Sequence, residues 1–374
     1  MLNFDRLGNR RFVLPLVAVI LITCIMSLVV APMLRANPKD VPFAITTLDE
    51  GAATPNGDIN LGAALVQQLT SSATLPTGQT SPLAWTQLDG EAAVNAALDN
   101  NEYYGAVVIP AGFSQAQAAA QAGQGDPPAV RVIVNQGKNP MLAATMQQAL
   151  TALFTQAGLT ASFETIHAAD IGGGATSALM GSQMLIMPLI MMTMAGTLIL
   201  FLALRPAPAA GRGERLLAYG RQLAYAAVLS LVVAVCAVLI VTWMGGLNLP
   251  FGTLTLFLWL GSFAVMAAFL GALSLAVPLG ALAIILVFGA GMSSAMLARE
   301  MLPGFWQDWI YPWVPQHYIA LGDSSIIYMG GGAWTPGSLP LVITALVGLA
   351  LLALAAIVPT RPAKAGQAAQ PAGT

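Results

Sequence analysis

Charge is what this 374-residue chain has least of: only 8% of its residues are Asp, Glu, Lys or Arg, against about a quarter in soluble domains. Its 14 basic and 16 acidic residues leave a net charge of -2, and they form no basic cluster of the kind that tracks phosphates, which sets nucleic acid aside as a partner. Cysteine and histidine are scarce too, two of each. Cys24 and Cys236 both lie inside apolar runs, where a thiol behaves as a small buried hydrophobe rather than a ligand or a disulfide partner. No G-x-x-x-x-G-K-[ST] sequence is present to cradle nucleotide phosphates. Gly172-Gly173-Gly174-Ala175-Thr176-Ser177 lacks the lysine and reads as a flexible linker before a membrane span.

Apolar residues make up 57% of the sequence, and they gather in uncharged runs of about 20, the length that crosses a hydrocarbon core. Such runs must be helices, because in lipid every backbone polar group has to be satisfied within its own segment. The first, 12–34, follows Arg10 and Arg11, exceeds a cleavable signal h-region and has no A-x-A site after it, so it reads as an uncleaved anchor. Further spans are expected at 182–204, 222–245, 252–276, 279–298 and 339–359. The fourth and fifth form one apolar stretch too long for a single crossing, and Pro278 with Gly280 supplies the break. The expected fold class is therefore a polytopic α-helical membrane protein of six transmembrane helices.

Orientation follows from Lys and Arg in the short flanks. With the N-terminus inside, residues 1–11, the loop 205–221 and the tail 360–374 carry Arg6, Arg10, Arg11, Arg205, Arg212, Arg215, Arg221, Arg361 and Lys364 against Asp5 and Glu214 alone. Both termini are expected in the cytoplasm, with the tail, rich in Ala, Pro and Gly, disordered. Residues 35–181 then lie outside. There, 41–48 reads as a buried strand, 49–57 as a turn, 59–69 and 91–98 as helices, 105–109 and 130–134 as strands, and 140–154 as a helix. Strands alternating with helices imply an inserted extracytoplasmic α/β domain with a partly parallel sheet.

Residues 299–338 hold Trp306, Trp309, Tyr311, Trp313, Tyr318, Tyr328 and Trp334, half of the seven Trp and seven Tyr in the chain. Such rings prefer the membrane interface, so short helices lying in or dipping into the outer leaflet are expected, with Trp306, Trp309, Trp313 and Tyr318 at the interface.

Candidates for chemistry are few. None of the six spans contains a carboxylate, His or Lys, which argues against a carrier driven by protons or ions. Glu164, His167 and Asp170 recur every third residue and would share one side of a helix, but one His with two carboxylates is an incomplete set for most catalytic metals, and the reading is a solvated helix face. His317, amid Pro and Trp, reads as an interfacial side chain. No catalytic residue, cofactor or metal is expected. Gly211-Arg-Gly-Glu-Arg-Leu-Leu-Ala-Tyr-Gly-Arg221 is the most informative polar segment. A short helix here would turn Arg212, Arg215 and Tyr219 toward the cytosol, whereas positive-inside anchoring explains the arginines without a partner; both readings stand.

Val41-Pro-Phe-Ala-Ile-Thr-Thr-Leu-Asp-Glu-Gly51, then Tyr103-Tyr-Gly-Ala-Val-Val-Ile-Pro110, then Val134-Asn-Gln-Gly-Lys-Asn139, resemble in content and order the YhgE/Pip-like branch of ABC type-2 permeases. Leu302-Pro-Gly-Phe-Trp306 through Tyr318 and Tyr328 is similar to the outward-facing stretch before the last helix in that superfamily. The resemblance implies a plasma-membrane exporter permease that pairs with a second permease subunit and is driven by a separate cytoplasmic ATPase. It would make 205–221 a coupling segment with Arg212, Arg215, Tyr219 and Arg221 at the ATPase. Apolar spans suit a lipid-like or amphipathic cargo. The alternative is a membrane-anchored surface or secretion-accessory protein of the YhgE/Pip type that binds a partner through its outer domain and does not pump; the short cytoplasmic N-terminus leans that way.

Overall fold

The computed structural model of the chain describes residues 10–54, 57–71, 81–168, 172, 175–207 and 210–358. The expected cytoplasmic N-terminus up to residue 9, the expected disordered tail and Asp170 lie outside them.

Helix α1 (Arg10–Leu34) leads into a layer of sheet and helices: β1 (Val41–Thr47), a hairpin of β2 (Ala52–Thr54) and β3 (Gly57–Ile59), α2 (Leu61–Ser71), β4 (Leu83–Gln87), α3 (Gly90–Asp99), β5 (Gly105–Ile109), α4 (Phe113–Gln121), β6 (Ala129–Asn135), α5 (Pro140–Gln156) and β7 (Thr160–Ile166). The main sheet has the order β4-β1-β5-β6-β7. It is parallel at β1/β4, β1/β5 and β6/β7 and antiparallel only at β5/β6. β1 and β5 are apolar on both faces, as parallel central strands between helices must be. One face, with Phe43, Ile45, Val107, Ile109 and Val132, packs under α2 and α5 through Val66, Leu142, Met146 and Leu150. The other, with Ala44, Ala106, Val108 and Ile133, packs on α3 through Val94 and Leu98.

The sheet layer departs from the expectations in three ways. Residues 49–57 open the β2/β3 hairpin rather than a plain turn. The strands β4 and β7 and the helix α4 have no counterpart in the sequence reading. Glu164 and His167 do not share a helix face: Glu164 is on β7 and His167 follows it with φ of 51°.

The apolar part is a helix bundle: α6 (Ala175–Leu204), α7 (Arg212–Leu239), α8 (Phe251–Leu275), α9 (Val277–Ile284), α10 (Gly291–Met296), α11 (Pro315–Met329) and α12 (Ser338–Ile357). A π-helical turn extends α7 to Met244, and another, Ile285–Ala290, joins α9 to α10. Among the described residues, five stretches are long and apolar enough to cross a bilayer: Gln183–Leu204, Arg212–Met244, Phe251–Leu275, Val277–Met296 and Ser338–Ile357. In α1, 25 residues long, the described apolar stretch is Thr23–Leu34.

α8 is the bundle's central helix, packed by α6, α7, α9, α11 and α12. Small residues let it be so, because helices in lipid associate by close packing rather than by hydrophobic exclusion from water. Gly271 on α8 and Gly348 on α12 meet backbone to backbone: a Cβ on Gly271 would lie 2.6 Å from the Gly348 carbonyl oxygen. Between α8 and α9 the chain breaks at Ala276, which is extended (φ -158°, ψ 128°), and Pro278 sits in the first turn of α9. The proline therefore starts a helix whose predecessor has already ended, as suits a residue with no N–H to donate.

Candidate functional site

Two ends of the bundle carry the polar residues that the sequence singles out. At one, α6 hands over to α7. The short helix expected over 211–221 is not a separate element: residues 212–221 form the first turns of α7, which starts at Arg212 with the Glu214 carboxylate accepting from the Gly211 N–H at 3.1 Å. Arg215 and Tyr219 do not project outward, and here the expectation fails. Both are buried. Residues four apart on a helix share a face, and this face packs inward: Arg215 donates from Nε to the Ala210 carbonyl at 3.0 Å and from Nη1 to the Val358 carbonyl at 2.9 Å, tying the loop to the end of α12, while Tyr219 joins the bundle core. Arg212, Glu214, Leu216, Leu217, Gly220 and Arg221 are among the exposed residues of these turns. Leu216 and Leu217, 57% and 58% exposed, are the pair that charge-based reading passes over.

At the other end the bundle meets the sheet layer. Ala298 and Met301, just past α10, belong to the core under α2 and α5. The Tyr104 hydroxyl donates to Glu300 at 2.8 Å. Lys138 donates to the Glu102 carbonyl and lies 5.0 Å over the Tyr104 ring. Burial, with Glu300 adding to it, raises the Tyr104 hydroxyl well above its ordinary pKa, so it stays a donor; burial pushes the Lys138 ammonium down against the opposing pull of Glu300 and Glu102. A 60 Å³ cavity lined by Lys138, Gln183, Ser294, His317 and Ser324 among others lies at this junction.

The interfacial aromatics spread along one segment. Trp306 is half-buried and donates to the Ala290 carbonyl at 3.2 Å, Trp309 is 70% exposed, Trp313 is exposed, and the Tyr318 hydroxyl donates to the Pro312 carbonyl. His317 is stacked between Tyr311 and Tyr318, with Nδ1 on the Tyr311 carbonyl. α11 folds back against α6, α8, α10 and α12. It brings Asp323, fully buried, into the bundle, beside Ser324 on the same helix, and neither carboxylate oxygen forms a hydrogen bond of good geometry.

Motifs that suggest kinship prove to be staples of the sheet layer. Buried Asn135 donates to the Leu98 and Tyr103 carbonyls and to Asn101, and accepts from the Gly137 N–H. Asn139 caps α5, accepting from Leu142 N–H at 2.9 Å. Gly105 is required because the Phe43 ring occupies the space a Cβ would need. Asp49 accepts from the Ser114 hydroxyl and N–H and from the Gly62 N–H. Burial opposes its ionisation, but these bonds outweigh it and hold its pKa below the usual value. Glu164 pairs with Arg131 at 3.1 Å, while His167 contacts Asn135 and Asp99, so the two have separate partners.

Among curated proteins and solved structures, nothing matches the chain. The family described as ABC-2 family transporter protein matches residues 12–357. That span runs from the start of α1 to the end of α12 and takes in the sheet layer with the bundle, so the chain belongs to the ABC-2 family of transporter membrane proteins.

Proposed function

We propose that this chain is the permease subunit of an ABC-type exporter, paired with a second permease subunit and energised by a separate ATPase that docks on the exposed face at the start of α7. The family match across 12–357 carries this reading. Support for the docking face comes from length. Arg212–Met244 is 33 residues, about 50 Å of helix against a hydrocarbon core of about 30 Å, so one end stands clear of the bilayer. The charged end, with Arg212, Glu214 and Arg221, is the one that positive-inside placement assigns to the cytosol. In this reading α1 is the sixth crossing, both termini are cytoplasmic, the sheet layer of residues 35–181 is extracytoplasmic, and the cargo is lipid-like or amphipathic.

Affinity purification of the tagged chain from native membranes should recover a nucleotide-binding ATPase in stoichiometric amount. Leu217→Asp, which puts a charge on the exposed face, should lose it at unchanged chain abundance. Recovery of the chain without any ATPase, from membranes where it is abundant, would overturn the proposal in favour of a YhgE/Pip-like surface protein that does not pump.

A further inference from the structure

Five basic residues lie on the sheet-layer side of the bundle, and two are already engaged. Arg131 is held by Glu91 at 2.6 Å and Glu164 at 3.1 Å, and Lys138 by Glu102 and the Tyr104 ring. The other three, Arg35, Lys39 and Arg299, come from opposite ends of the chain and line one groove of about 500 Å³. Its walls are held together by backbone bonds from Asn37 N–H to the Met301 carbonyl at 3.3 Å and from Lys39 N–H to the Glu300 carbonyl at 3.0 Å. Two carboxylates line it as well. Glu300 accepts from the Tyr104 hydroxyl; Asp40, 76% exposed, is 3.9 Å from Lys39. Arg299 reaches Asp308 only at 3.7 Å, both side chains more than half exposed. Arg35 has no ion pair among the described residues. Exposed pairs at such distances contribute little and leave these cations available.

The groove opens where α1 ends. Met26, Val30 and Leu34, four residues apart and therefore on one face, form an exposed apolar stripe running up to Arg35, with Leu34 82% exposed. Six and ten residues after Arg299, Phe305 and Trp309 are 60% and 70% exposed, as in an aromatic interface belt. A cationic groove at the head of an apolar stripe has the form of an amphipathic anion.

We infer that this groove binds the phosphate head group of an anionic lipid, whose acyl chain lies along Met26, Val30 and Leu34. Two guanidinium groups offer forked donors that match phosphate oxygens, and Lys39 adds a point charge. The inference rests on the reading of α1 as a membrane span, which puts Arg35 at the lipid surface; it needs no ATPase and no cargo movement.

The test uses the full chain in nanodiscs of equal phosphatidylcholine and phosphatidylglycerol, followed by mild delipidation and native mass spectrometry of retained lipid. Wild type should retain phosphatidylglycerol over phosphatidylcholine by about fivefold or more, three basic side chains partly offset by Asp40 and Glu300 acting on one charge. The triple variant Arg35→Gln, Lys39→Gln, Arg299→Gln should retain the two equally, whereas Arg205→Gln, exposed at the other end of the bundle, should behave as wild type. In detergent, phosphatidylglycerol should raise the melting temperature of wild type and not of the triple variant, and inorganic phosphate at equal concentration should do neither. Equal preference in wild type and triple variant would overturn the inference, as would a shift reproduced by phosphate alone, which would make this a free-anion site. Retained lipid with no ATPase recovered supports the inference while overturning the proposed function; ATPase recovered with unselective lipid overturns the inference alone.

Discussion

Arg215→Ala separates a brace from a docking residue. The guanidinium donates two hydrogen bonds to main-chain carbonyls, those of Ala210 and Val358, and the residue is 9% exposed. Hydrogen bonds from a charged donor contribute about 1.5–3 kcal/mol each where both ends are buried. Val358 is 45% exposed, so water replaces part of that bond in the variant. Losing both bonds and the packed aliphatic stem should cost about 2–4 kcal/mol. In a protein of this size that lowers the melting temperature by about 3–5 °C. The measurement is tryptophan fluorescence on heating in detergent, run beside the ATPase pull-down. Leu217→Asp, at a 58% exposed position, should melt within about 0.5 kcal/mol of wild type and still lose the ATPase. If Arg215→Ala melts like wild type yet loses the ATPase, the guanidinium faces the partner and its buried placement is wrong.

Two further substitutions probe the scaffold. Gly271→Ala puts a Cβ 2.6 Å from the Gly348 oxygen and 2.7 Å from Leu351 Cβ, so α8 and α12 must part by roughly 0.8 Å; a loss of about 1–3 kcal/mol should follow, seen as a lower melting temperature. Gly220→Ala, with nothing within 4 Å, should not lower it, and an unchanged melt for Gly271→Ala would refute the close crossing. For Asp49 the folded pKa is depressed, so its contribution is present above the unfolded value of about 3.9 and is lost as pH falls through the folded value. The stability gap between wild type and Asp49→Asn, read by limited proteolysis of the sheet layer, should be largest near pH 5–7 and shrink below about pH 4; a gap that grows on acidification would refute the sign.

What the sequence shows depends on how local the cause is. The spans are legible because backbone satisfaction in lipid demands an uninterrupted apolar run, and β1, β5 and β6 because their central residues are mostly apolar, with Arg131 the one charge among them. β4 and β7 stay hidden because they are edge strands with a covered side and an open one: Leu83 and Trp85 alternate with exposed residues, and β7 carries Glu164 and Thr165. The same openness makes Glu164 and His167 look helical, since three-residue spacing is all that a short polar segment offers. At the α7 end, positive charge is visible but its direction is not. Whether an arginine on a helix faces the cytosol or a neighbouring carbonyl depends on the end of α12, more than 140 residues away, and no local pattern encodes that. Leu216 and Leu217 escape notice for the converse reason, because an apolar pair beside a span looks like part of it.

Asp323 alters the case against an ion-driven carrier. That case starts from spans without a carboxylate, and by length it holds, since the 15-residue α11 is too short to cross. Folding overrides it by turning α11 back among the spanning helices, where Phe257 fills the space beside Gly322 and fixes the helix in place. Gln316, two turns before Asp323 and on the same face, also leaves its Oε1 unbonded. An acid with no partner in such surroundings costs several kcal/mol, a cost that packing around α8 must offset. A proton relay, however, needs a succession of exchangeable groups reaching both sides, and among the described residues Asp323 is the only carboxylate buried in the bundle. The exclusion therefore rests on an isolated acid and on family membership rather than on uncharged spans. The contact Asp323 does have, with Ser324, lies within α11 itself, so this acid carries a local cost in the bundle rather than a link in a relay.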